Sequence, residues 1–260
     1  ASDVYKRQDF ITFVGEGEPT LCKSLGWLIE QTRKLSTKPI AVITNGALLY
    51  REEVRGELLP TEVVMPSLDA TDQETFLKIN RPHRDLKIDE IINGMIKFRE
   101  MYTGQIWIEV MLVKGLNDSE EVLEGIQESL LSIKPDRVYL NVPIRPPAET
   151  WVEIPDDEGL VKAQTILKGA IMMPLSEEGE FHVEAFHDAS DAILAIIRRH
   201  PMKKEQIKRT LKIKDKELDT LLESLEKENK IRAIRYRGFI FYTQVETRYG
   251  AKTKVQEGEG

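Results

Sequence analysis

The strongest constraint in this chain is an alternation. From Asp9 onward, short runs rich in Ile, Val and Phe are each followed by an amphipathic stretch. The apolar runs lie at 10–14, 39–44, 62–68, 106–113 and 137–142, and stretches of helical period lie at 21–35, 48–59, 71–79, 86–102 and 119–133. Strands of this composition separated by helices are βα units, which stack into a parallel sheet. Five such strands before residue 143 fit part of a barrel or a doubly wound sheet. Either fold gathers its ligand at the carboxyl ends of the strands. Here those ends are polar: Gly15-Glu16-Gly17-Glu18-Pro19, Thr44-Asn45-Gly46, Ser67-Leu68-Asp69, Lys114-Gly115-Leu116-Asn117, and Asn141 followed by Arg145-Pro146-Pro147.

Composition narrows the function. The 260 residues carry a net charge of −7 and 41% hydrophobic residues, enough for a core and wrong for a chain that coats nucleic acid by charge. No apolar run approaches the roughly 18 residues of a membrane span, and residues 1–8 hold no hydrophobic signal core, so a cytoplasmic protein with no membrane partner is expected. One cysteine, Cys22, excludes an internal disulfide framework and any all-cysteine metal site built from this chain alone. Cys22 itself reads as a small apolar residue at the start of a helix.

Thr12 to Leu21 is the most informative segment. Glycines at a strand end let a ligand approach the backbone, an adjacent carboxylate accepts hydrogen bonds from an amine, and Pro sets the exit into the next helix. Taken alone it is also a tight βα connection. In order along the chain, however, Gly15 to Pro19 resembles the Gly-Gly-Glu-Pro motif of radical S-adenosylmethionine (SAM) enzymes. Thr44-Asn45-Gly46, Ser67-Leu68-Asp69, Asn80-Arg81-Pro82-His83 and Lys114 to Glu120 then follow as that family's later strand-end motifs do. The resemblance runs from about residue 9 to 147 and is most similar to the Fe–S oxidoreductases near the wyosine-tRNA and molybdenum-cofactor enzymes.

The resemblance implies a partial (βα)6 barrel of the TIM type and a reaction in which a 4Fe-4S cluster reductively cleaves S-adenosyl-L-methionine to a 5′-deoxyadenosyl radical that abstracts a substrate hydrogen. It implies that Gly17 and Glu18, within a cofactor-binding turn that includes Gly15 and Pro19, meet the methionyl amino group, that Thr44, Asn45, Ser67 and Asp69 lie near ribose and carboxylate, and that Asn117 closes the adenine and ribose side. Glu16 departs from the second glycine of the motif. Asn141 and Arg145 are candidate substrate residues; Arg145 either clamps a carboxylate or phosphate or belongs to a stiff Pro-Pro exit. The electron donor implied is a ferredoxin or flavodoxin.

The defining Cys-x3-Cys-x2-Cys loop is missing. Residues 1–8 match no pattern and read as a leader foreign to the fold, so the first βα unit, with the cluster cysteines, is expected upstream and the chain by itself is expected to be inactive. Two alternatives stay open: a cluster-free SAM-binding or nucleic-acid/protein-binding adaptor, and a divalent-metal carboxylate lyase or hydrolase using Glu18, Asp69 and Glu109. No histidine spacing supports the latter: His83 follows a proline, His182 and His187 are five apart, and His200 ends a helix.

Beyond residue 147 the period changes. A helix is expected over 157–169, a connector over 174–179 and a strand over 181–186; helices over 191–200, 203–211 and 214–229 and a hairpin of 230–236 with 238–243 then outline a winged helix. The expected organisation is a leader at 1–8, a barrel at 9–176, a winged-helix domain at 177–245 and a disordered tail at 246–260. Residues 198–214 are strongly basic, whereas the presumed recognition helix, 215–229, has a net charge of −4 and would repel phosphates in a major groove. Lys230, Arg232, Arg235, Tyr236 and Arg237 form a basic wing, which leaves RNA, a protein partner, a substrate-presenting role or a purely structural module open.

Overall fold

A computed structural model describes residues 9–15, 17–147, 149, 151–172, 189–199 and 201–245. The expected leader, the 181–186 strand, the 246–260 tail, and Glu16, His182, His187 and His200 lie outside the described residues. The chain divides into two compact units, Ala1–Leu175 and Ser176–Gly260.

The first unit contains β1 (Ile11–Phe13), α1 (Leu25–Leu35), β2 (Ile40–Thr44), α2 (Glu52–Leu58), β3 (Val63–Pro66), α3 (Gln73–Ile79), α4 (Ile88–Met101), β4 (Gln105–Met111), α5 (Glu120–Ile133), β5 (Arg137–Asn141), α6 (Asp157–Ile166) and β6 (Ile171–Met172). The strands form one parallel sheet in the order β1-β2-β3-β4-β5-β6. Local chemistry sets the helix ends: Asp72, Ser119 and Asp156 cap α3, α5 and α6 by accepting from the backbone N–H groups of Thr75, Val122 and Gly159. On α5, Leu123, Ile126, Leu130 and Ile133 recur at helical spacing and are all buried.

The register gives the sheet two unlike faces. Val42, Val64, Ile106, Ile108, Val110 and Leu140 share one face and are sealed in the core. The alternate residues Ile43, Met65, Trp107, Glu109, Met111, Tyr139 and Asn141 share the other face and are all half-buried. That open face is concave. Phe10, one residue before β1, meets Trp107 of β4 edge-on with ring centroids 5.8 Å apart, although two strands lie between them. Three strand spacings in a flat sheet would separate them by about 14 Å, so the sheet curls toward this face.

The second unit contains α7 (Ala189–Arg199), β7 (Met202–Lys203), α8 (Lys204–Leu211), α9 (Asp215–Lys227), β8 (Ile231–Tyr236) and β9 (Phe239–Gln244), its strands antiparallel in the order β7-β9-β8. Leu218, Leu222 and Leu225 of α9 join Ile193, Ile197, Met202, Ile207 and Ile231 in its core. Arg237 and Gly238, both at positive φ, make the two-residue turn between β8 and β9.

Three details differ from the sequence expectation. β6 and β7 are two-residue strands too short to leave a periodic signal. The α1 region begins as a separate 3₁₀ turn, Pro19–Leu21, and Cys22 caps its end in an exposed position outside the helix, so it is not an apolar helix residue. Lys204 and Lys208, within the strongly basic 198–214 stretch, are paired with Asp219 and Asp215 of α9.

Candidate functional site

Two hydrogen-bonded clusters occupy the carboxyl ends of β1 to β4. In the first, the Glu18 carboxylate is the centre. Oε1 accepts from the Thr20 amide at 3.1 Å, the Thr20 hydroxyl at 2.6 Å and the Thr44 hydroxyl, and Oε2 accepts from the Asn45 amide at 2.7 Å. Glu18 thus caps the 3₁₀ turn begun by Pro19 and ties the loop after β1 to the end of β2. The Thr44 hydroxyl also accepts from the Gly46 amide at 3.1 Å, and Asn45 Oδ1 accepts from the Ala47 amide at 2.9 Å. Gly46 has φ +73°, a left-handed conformation that disfavours any side chain, and a Cβ there would have to displace the Met95 methyl 2.6 Å away. Asn45, Gly15 and Gly17 stay exposed, and a Cβ at Gly17 would meet nothing within 4 Å.

The second cluster is dry. Asp69 is buried; Oδ1 accepts from the Met111 amide at 2.8 Å and Oδ2 from Asn80 Nδ2 at 2.7 Å. Burial, reinforced by the nearby Glu109 charge and only partly offset by those two donors, pushes the Asp69 carboxyl up to about 6. Asn117 is fully buried. Its Nδ2 donates to the Asp69 and Met111 carbonyls at 2.9 and 2.7 Å, and its Oδ1 accepts from the Val113 amide at 2.7 Å. Both amide protons are therefore in use, and the side chain can reach a ligand only by releasing a partner. Asn117 and Asp69 clamp the end of β3 to the loop after β4.

Between the clusters and the curled sheet lies the concave face. Glu109 Oε1 accepts from Asn141 Nδ2 at 2.8 Å, and Asn141 Oδ1 accepts from the Val142 amide at 2.9 Å. Ser67 bridges to Glu109 at backbone level and is half-buried. At the amino-terminal end Trp107 meets Tyr139 edge-on at 5.9 Å, with the Arg137 guanidinium 4.8 Å from the Trp107 ring centroid, giving this face an aromatic floor. Arg145 lies half-buried in the loop after β5.

The structure thus joins Glu18, Thr44 and Asn45 in one cluster, Asp69 and Asn117 in another, and Asn141 with Glu109 in a third. It gives no evidence for a carboxylate metal centre: among the described residues no three His, Cys, Asp or Glu side chains come together to hold an ion. Glu18 and Asp69 instead accept hydrogen bonds from other strand ends, the Asn45 and Met111 amides. Sequence reasoning missed Thr20 and Asn80 as partners of these carboxylates. The signals were there, a hydroxyl two residues after a capping Glu and an amide in the singled-out Asn80-Arg81-Pro82-His83 segment.

Known proteins share this architecture. A UPF0026 protein of Methanocaldococcus jannaschii is 36% identical over 238 residues, covering 90% of this chain and 74% of that protein. A Brachyspira hyodysenteriae protein named GTPase Obg is 42% identical over 159 residues, 61% of this chain but 23% of that protein. The chain thus spans about three quarters of the first relative and under a quarter of the second. It holds no Gly-x4-Gly-Lys-Ser/Thr segment for a nucleotide triphosphate, so the GTPase name has no counterpart in these residues. No protein-family model matches the chain. The crystal structure of a domain of pyruvate-formate lyase-activating enzyme from Bacteroides vulgatus aligns with a TM-score of 0.50 at 22% identity, covering 63% of this chain and 98% of that one, so the two share a fold. Identity of this extent over most of both sequences leaves one conclusion, that the chain belongs to the UPF0026 family.

Proposed function

We propose that this chain forms the S-adenosyl-L-methionine-binding part of a radical SAM enzyme. One observation carries the reading: Glu18, Thr44, Asp69 and Asn117, singled out by motif across a hundred residues of sequence, stand at the carboxyl ends of four adjacent parallel strands, beside an open rim at Gly17 and Asn45. The fold shared with a domain of an activating enzyme supports it.

The residues present suit SAM. The bare backbone at Gly17 admits the methionyl end, the exposed Asn45 amide offers a donor and acceptor for carboxylate and ribose, and Glu18 holds both loops in place for them. Glu109 and Asn141 face the concave side, where a substrate would lie. They do not suit a 4Fe-4S cluster. One exposed cysteine cannot ligate four irons, so the thiolates have to come from outside these 260 residues, and the redox reaction, with its ferredoxin or flavodoxin donor, belongs to the whole enzyme. In the second unit the order α7-β7-α8-α9-β8-β9 supports a winged helix.

The test is saturation-transfer NMR of SAM on this chain. Expected are transfer to the adenosine and methionyl protons and its loss in Glu18→Ala and Gly17→Val. Absence of transfer, or transfer unaltered in both variants, overturns the reading.

A further inference from the structure

The cations of the second unit are not equivalent. Two of the three on α8 are paired with α9: Lys204 Nζ lies 2.6 Å from Asp219, and Lys208 pairs with Asp215. Helix α9 is acidic. The β8–β9 hairpin, residues 231–244, is the opposite, with Arg232, Arg235 and Arg237 and no carboxylate. All three arginines are exposed. Arg237 sits at φ +48°, a backbone conformation that Asn or Gly adopts more readily, so the turn keeps a cation at its tip against its own preference.

Pairing registers sort this sheet into two faces. Met202 and Tyr242 are paired and turn toward the core. The alternate positions Lys203, Arg232, Ile234, Tyr236, Phe239 and Phe241 share the other face, which is closed over Phe241 and open toward the hairpin tip at Phe239, while Arg235, paired with Ile240, lies on the face of Tyr242. There the Lys203 ammonium lies 3.7 Å from the Phe239 ring centroid, yet Phe239 remains 54% exposed. Tyr236 stands beside it as its register partner. The exposed Phe239 ring and the half-buried Tyr236, with Lys203 and Arg232 on the same face and no carboxylate in the hairpin itself, bring together the two elements of single-strand recognition, a stacking surface for bases and positive charge for phosphates.

We propose that this face binds single-stranded RNA. An acidic protein would use the arginines and leave the exposed Phe239 ring unexplained. A duplex would need a helix in a groove, and the acidic α9 repels its phosphates. Among single strands, RNA is the polymer that cells present unpaired and in quantity.

Fluorescence anisotropy of the full chain with a labelled mixed-sequence RNA of about 12 nucleotides, a length within the range one single-strand-binding module covers, tests it. Saturable binding is expected, with log Kd rising with log salt by about 0.7 for each phosphate contacted. Phe239→Ala should weaken binding by about tenfold. Arg232→Gln and Arg237→Gln, both exposed, should each lower the salt slope by about one contact, while Arg235→Gln on the opposite face and Lys216→Gln on α9 should leave it unchanged. No saturable binding, preference for duplex or for single-stranded DNA, equal displacement by polyglutamate, or wild-type affinity in Phe239→Ala would each overturn the proposal.

Discussion

Glu18 and Asp69 look alike in the sequence, each a carboxylate shortly after a strand, and the molecule uses them differently. Glu18 stands at a half-exposed rim and joins two loops whose other groups, Asn45 and Gly17, face solvent. Asp69 stands in a dry clamp with Asn80, Met111 and Asn117. Both hold loops, but only the first does so where a ligand can arrive. A motif residue's chemistry is therefore set by what surrounds it: the same group arranges an open site at one strand end and locks the sheet at the next.

The sharpest way to break this contrast is Asn117→Ala. It orphans the buried Val113 amide and two carbonyls, and each unsatisfied buried group costs about 1–3 kcal/mol, so a loss of about 4 kcal/mol is expected in urea denaturation. Next comes Asp69. Its carboxyl titrates near 6 in the folded protein against an ordinary 3.8, so between those values the folded state binds more protons than the unfolded one. Stability is lost as pH rises from about 4 to about 6 and levels above that, a swing of about 3 kcal/mol. Asp69→Asn removes the titration. Its stability relative to the wild type should rise by that amount between pH 4 and pH 7, and a pH-independent difference would show that the carboxyl is not held up by burial.

Most of the frame was legible in the sequence, because short apolar runs mark strands of a parallel sheet and a period of 3.6 marks helices that bury one face. The five longer strands of the parallel sheet carry the first signal, whereas Ile171–Met172 is too short to show it. The division of labour among the polar strand ends was not legible. Whether Asn117 faces ligand or interior depends on Asp69 and Met111, 48 and 6 residues away, and no local pattern encodes that contact. The same holds for Lys204 and Lys208, whose charges are cancelled by residues on another helix.

Two smaller effects sharpen the comparison at the open rim. Glu18→Ala leaves the Thr20 and Asn45 amides and the buried Thr20 and Thr44 hydroxyls without their acceptor, but the space vacated by the half-exposed carboxylate admits water to them, so about 2 kcal/mol is expected, less than at Asn117.

The least disruptive change is the most discriminating. Asn45 contributes one side-chain hydrogen bond, from the Ala47 amide, in an exposed turn, and Asn45→Ala should cost about 0.5 kcal/mol or less in urea denaturation. If the rim is a binding site, that nearly silent variant should still weaken SAM saturation transfer, because Asn45 offers its donors outward. Asn117→Ala should behave in the reverse sense, losing stability first and ligand signal only as the fold loosens. Equal effects of the two variants on stability and on binding would show that rim and clamp form one structural unit, and the distinction between them would fall.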